Sequence, residues 1–301
     1  VKPVEMTTTS EDGGYIAPDF SVSSSIPREL SSQDLEKLRM QDARGVLSDF
    51  HRSKLEQQAA VNWDKFYKRN ETRFFKDRHW TTREFVELLG WNDSDDQSEN
   101  EDTVSIEKHR SLLEVGCGVG NLFFPLLESG LHLRVFACDF SSRAISFIKQ
   151  NPRYDSKRVT AFVADVTRES CFSDHMPGTT VDLITCIFVL SAVSPEEHCS
   201  VALNLARVSK PGTVLLFRDY AVNDMAMVRF KPGAKISDRF YVRQDGTRAY
   251  YFTSEELTAL MSAAGFVCTE SRYIHRRTMN IKEGVDAARV FLQAKFTYNP
   301  L

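Results

Sequence analysis

The sequence predicts an α/β protein, a seven-stranded, mostly parallel sheet with helices on both faces and an N-terminal helical extension. Three observations carry that expectation. Apolar runs of strand length recur at 111–115, 133–138, 159–164, 181–187, 213–218, 266–273 and 289–296. Helix-start signals stand between them, at Ser194-Pro195 with Glu197 and at Thr253 with Glu256, the latter helix closed by Gly265. A turn with three alternate glycines, Gly116, Gly118 and Gly120, follows the first run directly. Ligands of such sheets bind at the carboxyl ends of the strands, so the residues ending each run are the first to inspect.

Composition narrows the function classes. A length of 301 residues allows one large domain or two small ones, and 42% hydrophobic content is enough for a sizeable core. The longest apolar stretch, Ile184 to Val193, is far short of the ~20 residues a spanning helix needs, so no membrane association is expected. Residues 1–19 are polar and lack the apolar centre of a secretory signal. The six cysteines (Cys117, Cys138, Cys171, Cys186, Cys199, Cys268) show no CxxC pair and no zinc-like spacing. Buried thiols in a reducing compartment, cytoplasm or nucleus, and no metal site, are the expectation.

A net charge of −3 argues against nonspecific coating of nucleic acid. The charges are nevertheless segregated. Residues 92–102 hold six acidic side chains and no basic one, whereas 210–248 hold eight Lys or Arg against four Asp. A focused basic face on an acidic protein is compatible with a specific RNA substrate.

Along the chain, residues 1–30 read as a disordered tail, rich in Ser, Thr, Pro and Gly. Residues 31–91 read as a helical segment that shapes the ligand sites. Ser31 with Asp34 opens a helix that Gly45 interrupts, and Thr81 with Glu84 opens a shorter one ending near Gly90. Residues 92–110 form an acidic loop, and 111–301 the α/β domain. An insertion at 221–252 interrupts the alternation; its aromatic runs flank Asp245-Gly246, a hairpin signal, and mark it as a substrate-binding element.

The glycine turn carries the chemistry. Its spacing is GxGxG, not the GxGxxG of dinucleotide enzymes, and Glu114 stands two residues before Gly116. A carboxylate there can hold the loop or meet a ligand ammonium, and it would repel a pyrophosphate. Asp139 ends the second run, where it suits a bidentate bond to two ribose hydroxyls. Asp165, followed by Val166, ends the third and can accept from an adenine amine. Either aspartate alone suits a helix cap; two in register after successive strands argue for a ligand site. Ile187 ends the fourth run and is either an apolar wall against adenine or ordinary core.

Glu114 to Asn121, Asp139, Asp165 and the seven strands resemble the class I, Rossmann-like methyltransferases, which implies S-adenosyl-L-methionine as cofactor. Four further stretches narrow the likeness: Asn62 to Lys68, Phe74 to Thr82, Ile187 to Val193, and Leu216 to Tyr220 with Phe240 to Arg248. Together they resemble the eukaryotic tRNA cytidine-N3 methyltransferases over about residues 31–298, the serine-tRNA branch above all. The resemblance implies N3-methylcytidine formation in the anticodon loop (position 32) of tRNA, and seryl-tRNA synthetase as a partner. It places Trp63 and Tyr67 over the cofactor as a lid, although two aromatics four apart could equally dock their helix on the core.

Substrate residues are expected in three places. Arg78, His79 and Trp80 combine charge, hydrogen bonding and stacking surface for single-stranded RNA, though His79 could simply hold a loop. Arg243 and Arg248 flank the hairpin turn and are expected at phosphates. Asp219, after the fifth run, is the candidate catalytic residue. A carboxylate at the exocyclic amine of cytosine would stabilise the charge growing on the ring. Arg218 would serve the base carbonyl or a phosphate, and Tyr220 or Phe188 would receive the extruded base. The other reading makes Arg218 and Asp219 a structural ion pair or strand-end cap. At the level of function, a small-molecule or protein methyltransferase and a cofactor-binding scaffold that assists a synthetase remain as alternatives. The intact glycine turn and Asp139 oppose the scaffold.

Overall fold

The structure, a computed structural model, describes residues 21–74, 77–78, 80–89, 110–280 and 285–300, without the side chains of 278–280, 285 and 286. His79, most of the expected acidic loop and residues 1–20 lie outside the described residues. The chain opens with a short strand, β1 (Ser21–Ser24). Three helices follow, α1 (Ser32–Arg44), α2 (Asp49–Gln57) and α3 (Ala59–Asn70). Ser31 and Asp34 form the expected reciprocal capping box, and Gly45, at φ +76°, ends α1. A five-residue helix, α4 (Trp80–Glu84), and a 3-10 turn at Val86–Leu89 complete the extension.

The α/β part then runs β2 (Arg110–Val115), α5 (Phe123–Glu128), β3 (Leu133–Asp139), α6 (Ser142–Gln150), β4 (Val159–Val163), β5 (Val181–Ile187), α7 (His198–Arg207) and β6 (Ser209–Tyr220). The insertion contributes α8 (Met225–Val228), β7 (Lys235–Ser237), β8 (Phe240–Val242) and β9 (Arg248–Tyr250). It is followed by α9 (Ser254–Ala263), β10 (Phe266–Asn280) and β11 (Val285–Tyr298). The main sheet has the order β1-β10-β11-β6-β5-β2-β3-β4. Strands β4, β3, β2, β5 and β6 are parallel, and β11, β10 and β1 add antiparallel pairs beyond β6. The chain winds outward from β2 to β4, then restarts at β5 on the other side of β2. That reversal puts the topological switch point, and a ligand crevice, at the carboxyl ends of β2 and β5.

Both faces of this sheet are covered, which is why its strands read as continuous apolar runs. Leu112, Leu183 and Leu216 point to one side with Ile145 and Ile148 of α6. Their chain neighbours Leu113, Ile184 and Phe217 point to the other, with Leu205 of α7 and Leu257 and Met261 of α9. The three-stranded antiparallel sheet β7-β8-β9 confirms the hairpin across Asp245-Gly246. The insertion is clasped by the N-terminal helices. Gln41 of α1 donates from its buried amide to the carbonyls of Met227, Val228 and Phe230. Asn62 of α3 donates to the Gly246 carbonyl at 3.1 Å.

Three local expectations differ from the structure. Residues 21–24 are a strand antiparallel to β10, not tail; a mostly exposed edge strand needs backbone partners and carries no apolar alternation to announce it. Thr81 lies inside α4 and its hydroxyl donates to the Arg78 carbonyl, so it is no cap. The Ser194 hydroxyl donates to the Glu196 carboxylate, and the Pro195 turn is 3-10, with α7 beginning only at His198. Thr253 caps α9 as expected, accepting from the Glu256 N–H.

Candidate active site

A cavity of about 270 Å³ lies at the switch point. Its floor is the turn after β2, where Gly116 and Gly118 both have positive φ. A Cβ on Gly116 would lie 2.4 Å from a Val189 methyl, and one on Gly118 would lie 2.8 Å from the Tyr67 hydroxyl. Glycine is therefore required twice over, by conformation and by space.

Three carboxylates surround the floor. Glu114 is buried, and its Oε2 has no hydrogen-bond partner among the described residues. Burial pushes its pKa up to about 8, against the pull of Arg78. Asp139 accepts from the Gly118 and Ser141 N–H groups, each at 2.8 Å, and burial pushes it up to about 6. Asp165 accepts from its own turn, from the Thr167 N–H and hydroxyl, and still lines the cavity.

The roof comes from α3 and the segment after it. Trp63, Phe66, Tyr67 and Phe74 pack edge to face, with Trp63–Phe66 at 5.3 Å and Phe66–Phe74 at 4.9 Å between centroids. Asp64, between the roof aromatics, fastens α3 by accepting from the Ser141 hydroxyl and the Arg143 N–H at the start of α6. Arg78 reaches in from the other end. Its N–H donates to the Asn121 carbonyl, its guanidinium donates to the Ile187 carbonyl at 3.2 Å, and it lies over the Phe188 ring. Burial lowers its pKa while Glu114 counteracts.

The far wall is aromatic and basic. Phe188 and Tyr220 have ring centroids 5.3 Å apart, and the Arg243 guanidinium sits 5.3 Å over Tyr220. Arg243, Asp245, Thr247 and Arg248, all from the insertion, line the same cavity.

A model of a methyltransferase domain matches residues 82–271. The tRNA N(3)-cytidine methyltransferase METTL6 of Mus musculus is 50% identical over 273 residues, 91% of this chain and 92% of its own. The tRNA N(3)-methylcytidine methyltransferase trm141 of Schizosaccharomyces pombe is 42% identical over 82% of this chain and 95% of its own. This chain belongs to the tRNA N3-cytidine methyltransferase family. Among solved structures, a SAM-dependent methyltransferase of Anabaena variabilis superposes with a TM-score of 0.54 at 12% identity, over 80% of this chain and 95% of that one. At that identity it shows the fold alone, and the fold is the expected one.

Within this methyltransferase, the structure brings together Trp63, Tyr67, Glu114, Gly116, Gly118, Asp139, Asp165 and Val166 on the cavity wall. Several sequence expectations are corrected. Ile187 does not line the cavity; its side chain is core, packed with the Leu112 and Leu183 layer. Phe140, Ala164 and Val189 supply apolar wall instead. Arg78, expected at RNA, lines the cavity between its two halves, near Glu114 and over the Phe188 ring. Trp80 is no stacking platform, because its ring lies under the buried Arg218 guanidinium at 4.3 Å and packs on the core. Arg248 is buried and ion-paired with Glu56, so it presents no free charge to a phosphate.

Arg218 and Asp219 are the largest correction. Successive strand residues face opposite sides, and both side chains end up buried outside the cavity lining. Arg218 bonds Gln293 at 3.2 Å, and Asp219 accepts from the Ser191 and Tyr220 N–H groups, each at 2.9 Å. Asp219 is a strand-end cap, not an ion-pair partner of Arg218. Sequence reasoning also missed Phe140, directly after Asp139, and Phe74, within a stretch it had singled out. For Asp64 no local signal exists, since its partners lie about eighty residues on.

Proposed function

We propose that this chain transfers the methyl group of S-adenosylmethionine to N3 of a cytidine in the anticodon loop of tRNA, serine tRNA above all. The observation that carries the reading is a single cavity with two unlike halves. Glu114, the glycine turn, Asp139 and Asp165 wall one half, and Phe188, Tyr220 and Arg243 the other. The first half fits the cofactor: an orphaned buried carboxylate oxygen at Glu114 and a cradle that any Cβ would fill.

S-adenosylmethionine, when bound, supplies a methyl group already activated on a sulfonium. The residues then bind and exclude. Glu114 accepts from an ammonium and Arg78 faces a carboxylate, so the pair reads the zwitterionic end of an amino acid in one orientation. Asp139 accepts from ribose hydroxyls and Asp165 from an adenine amine. Trp63 and Tyr67 roof the site and keep water out. Neutral cytosine carries a lone pair on N3, so no side chain need act as general base. Phe188 and Tyr220 offer stacking faces for a base out of its stack, and Arg243 a cation for the adjoining backbone.

The named activities of the relatives support the reaction and the substrate class. Seryl-tRNA synthetase as a partner is supported by the resemblance to the serine-tRNA branch. A cytoplasmic or nuclear location is supported by six cysteines that are all free. Nucleoside mass spectrometry of tRNA incubated with the protein and methyl-labelled cofactor, with and without the synthetase, tests the reading. Label in N3-methylcytidine of serine tRNA is expected. Label in a small molecule or a protein, with none in tRNA, would overturn it.

A further inference from the structure

Phe188 is one of few residues other than glycine with positive φ, at +59°. Such a conformation is strained and persists only where the surroundings over-determine it. Two consecutive residues of β6 supply the restraint. The Phe188 N–H donates to the Arg218 carbonyl at 2.8 Å, and three residues on the Ser191 N–H donates to the Asp219 carboxylate at 2.9 Å. The other oxygen of the same carboxylate accepts from the Tyr220 N–H. Asp219 is fully buried and touches neither half of the cavity. Its two oxygens nonetheless join the loop that carries Phe188 to the residue that carries Tyr220, and these are the two rings of the far wall.

We infer that Asp219 is a positioning residue: its carboxylate holds the strained Phe188 loop in register with Tyr220, so that the two rings form one seat for the substrate base. This rests on the proposed function for what occupies the seat, but the restraint itself is a property of the fold. Asp219→Asn keeps the shape and one acceptor, while its amide NH₂ must face one of two backbone N–H donors. Asp219→Ala removes every acceptor.

Two measurements separate the outcomes. In a double-mutant cycle read by urea unfolding of the ligand-free protein, Phe188→Gly removes the conformational strain. Asp219→Asn alone lets the strained loop relax and so recovers part of its cost; it should therefore destabilise clearly more in the Phe188→Gly background than alone, and additive effects would overturn the restraint. In single-turnover methylation at saturating tRNA and cofactor, the rate per S-adenosylhomocysteine-binding site should fall about tenfold for Asp219→Asn and further for Asp219→Ala. Affinity for S-adenosylhomocysteine should stay within about twofold, as expected of a group acting only on the reacting geometry. An unchanged rate per binding site, with only a lowered melting temperature, would leave Asp219 a plain structural cap and overturn the inference. Wild-type protein that methylates no tRNA while the cycle still couples would instead remove the proposed substrate and leave the restraint standing.

Discussion

Glu114→Gln separates what the site costs from what it binds. The wild-type carboxyl is buried beside a glycine turn and holds its proton up to about pH 8, against an ordinary value of 4.5. Keeping a proton to pH 7 on a group that ordinarily loses it at 4.5 costs about 3 kcal/mol, at about 1.4 kcal/mol per pH unit. Because the folded value is the raised one, the ligand-free protein loses this stability as pH rises from 4.5 towards 8. Glutamine is neutral in both states and avoids the loss. The variant should therefore match wild type near pH 4.5 and exceed it by roughly 2–4 kcal/mol at pH 7, a functional group retained at the expense of stability. Cofactor affinity should move the other way. At pH 8 and above, where the wild-type carboxyl is ionised, losing the charge opposite a ligand ammonium should weaken binding by about 1.5–3 kcal/mol, roughly 10- to 150-fold. Urea unfolding across pH 5–8 without ligand, and calorimetry with S-adenosylhomocysteine, read the two effects. A variant no more stable than wild type at pH 7, with affinity intact at pH 8, would refute both the raised titration of Glu114 and its role.

Asp139→Ala should cost on the order of 2–4 kcal/mol of S-adenosylhomocysteine binding through two lost charge-assisted bonds, and calorimetry on the folded variant checks it. With Glu114 at about 8 and Asp139 at about 6 in the ligand-free protein, wild-type affinity should fall about tenfold per pH unit below 8 and more steeply below 6, since both groups bind the ligand in their ionised form. Gly118→Ala should abolish cofactor binding while the protein still folds, because its Cβ would meet the Tyr67 hydroxyl at 2.8 Å at positive φ; retained binding would show that the roof can move. Arg243→Ala should lower tRNA affinity and flatten its salt dependence, whereas Arg248→Ala should lower the melting temperature through the orphaned Glu56 with the salt slope unchanged. Filter binding across salt distinguishes the two arginines.

The glycine turn and the strand-end acids were legible because both obey local rules. A GxGxG turn must follow a strand at close quarters, and Asp139 and Asp165 terminate apolar runs that could hardly be anything but buried parallel strands. The same rule of alternation misplaced Ile187 and the pair Arg218-Asp219. Position along a strand names the edge of the sheet, but which face a terminal side chain takes depends on where the strand's register stops. Phe188 then turns the chain at positive φ, which no propensity of phenylalanine foretells.

Periodicity determined the layered sheet, the glycine motif with the strand-end acids the nucleotide-like half of the cavity, and the Asp245-Gly246 turn signal the aromatic hairpin in the insertion. Only the tertiary structure decided which charges are free. Arg78 and Arg248 look alike as solvent-seeking cations in the sequence, yet one is half-buried near Glu114 and the other is buried against Glu56. Their partners lie 36 and 192 residues away, and at that separation the contact is set by how α2, β2 and the insertion pack, not by any local pattern.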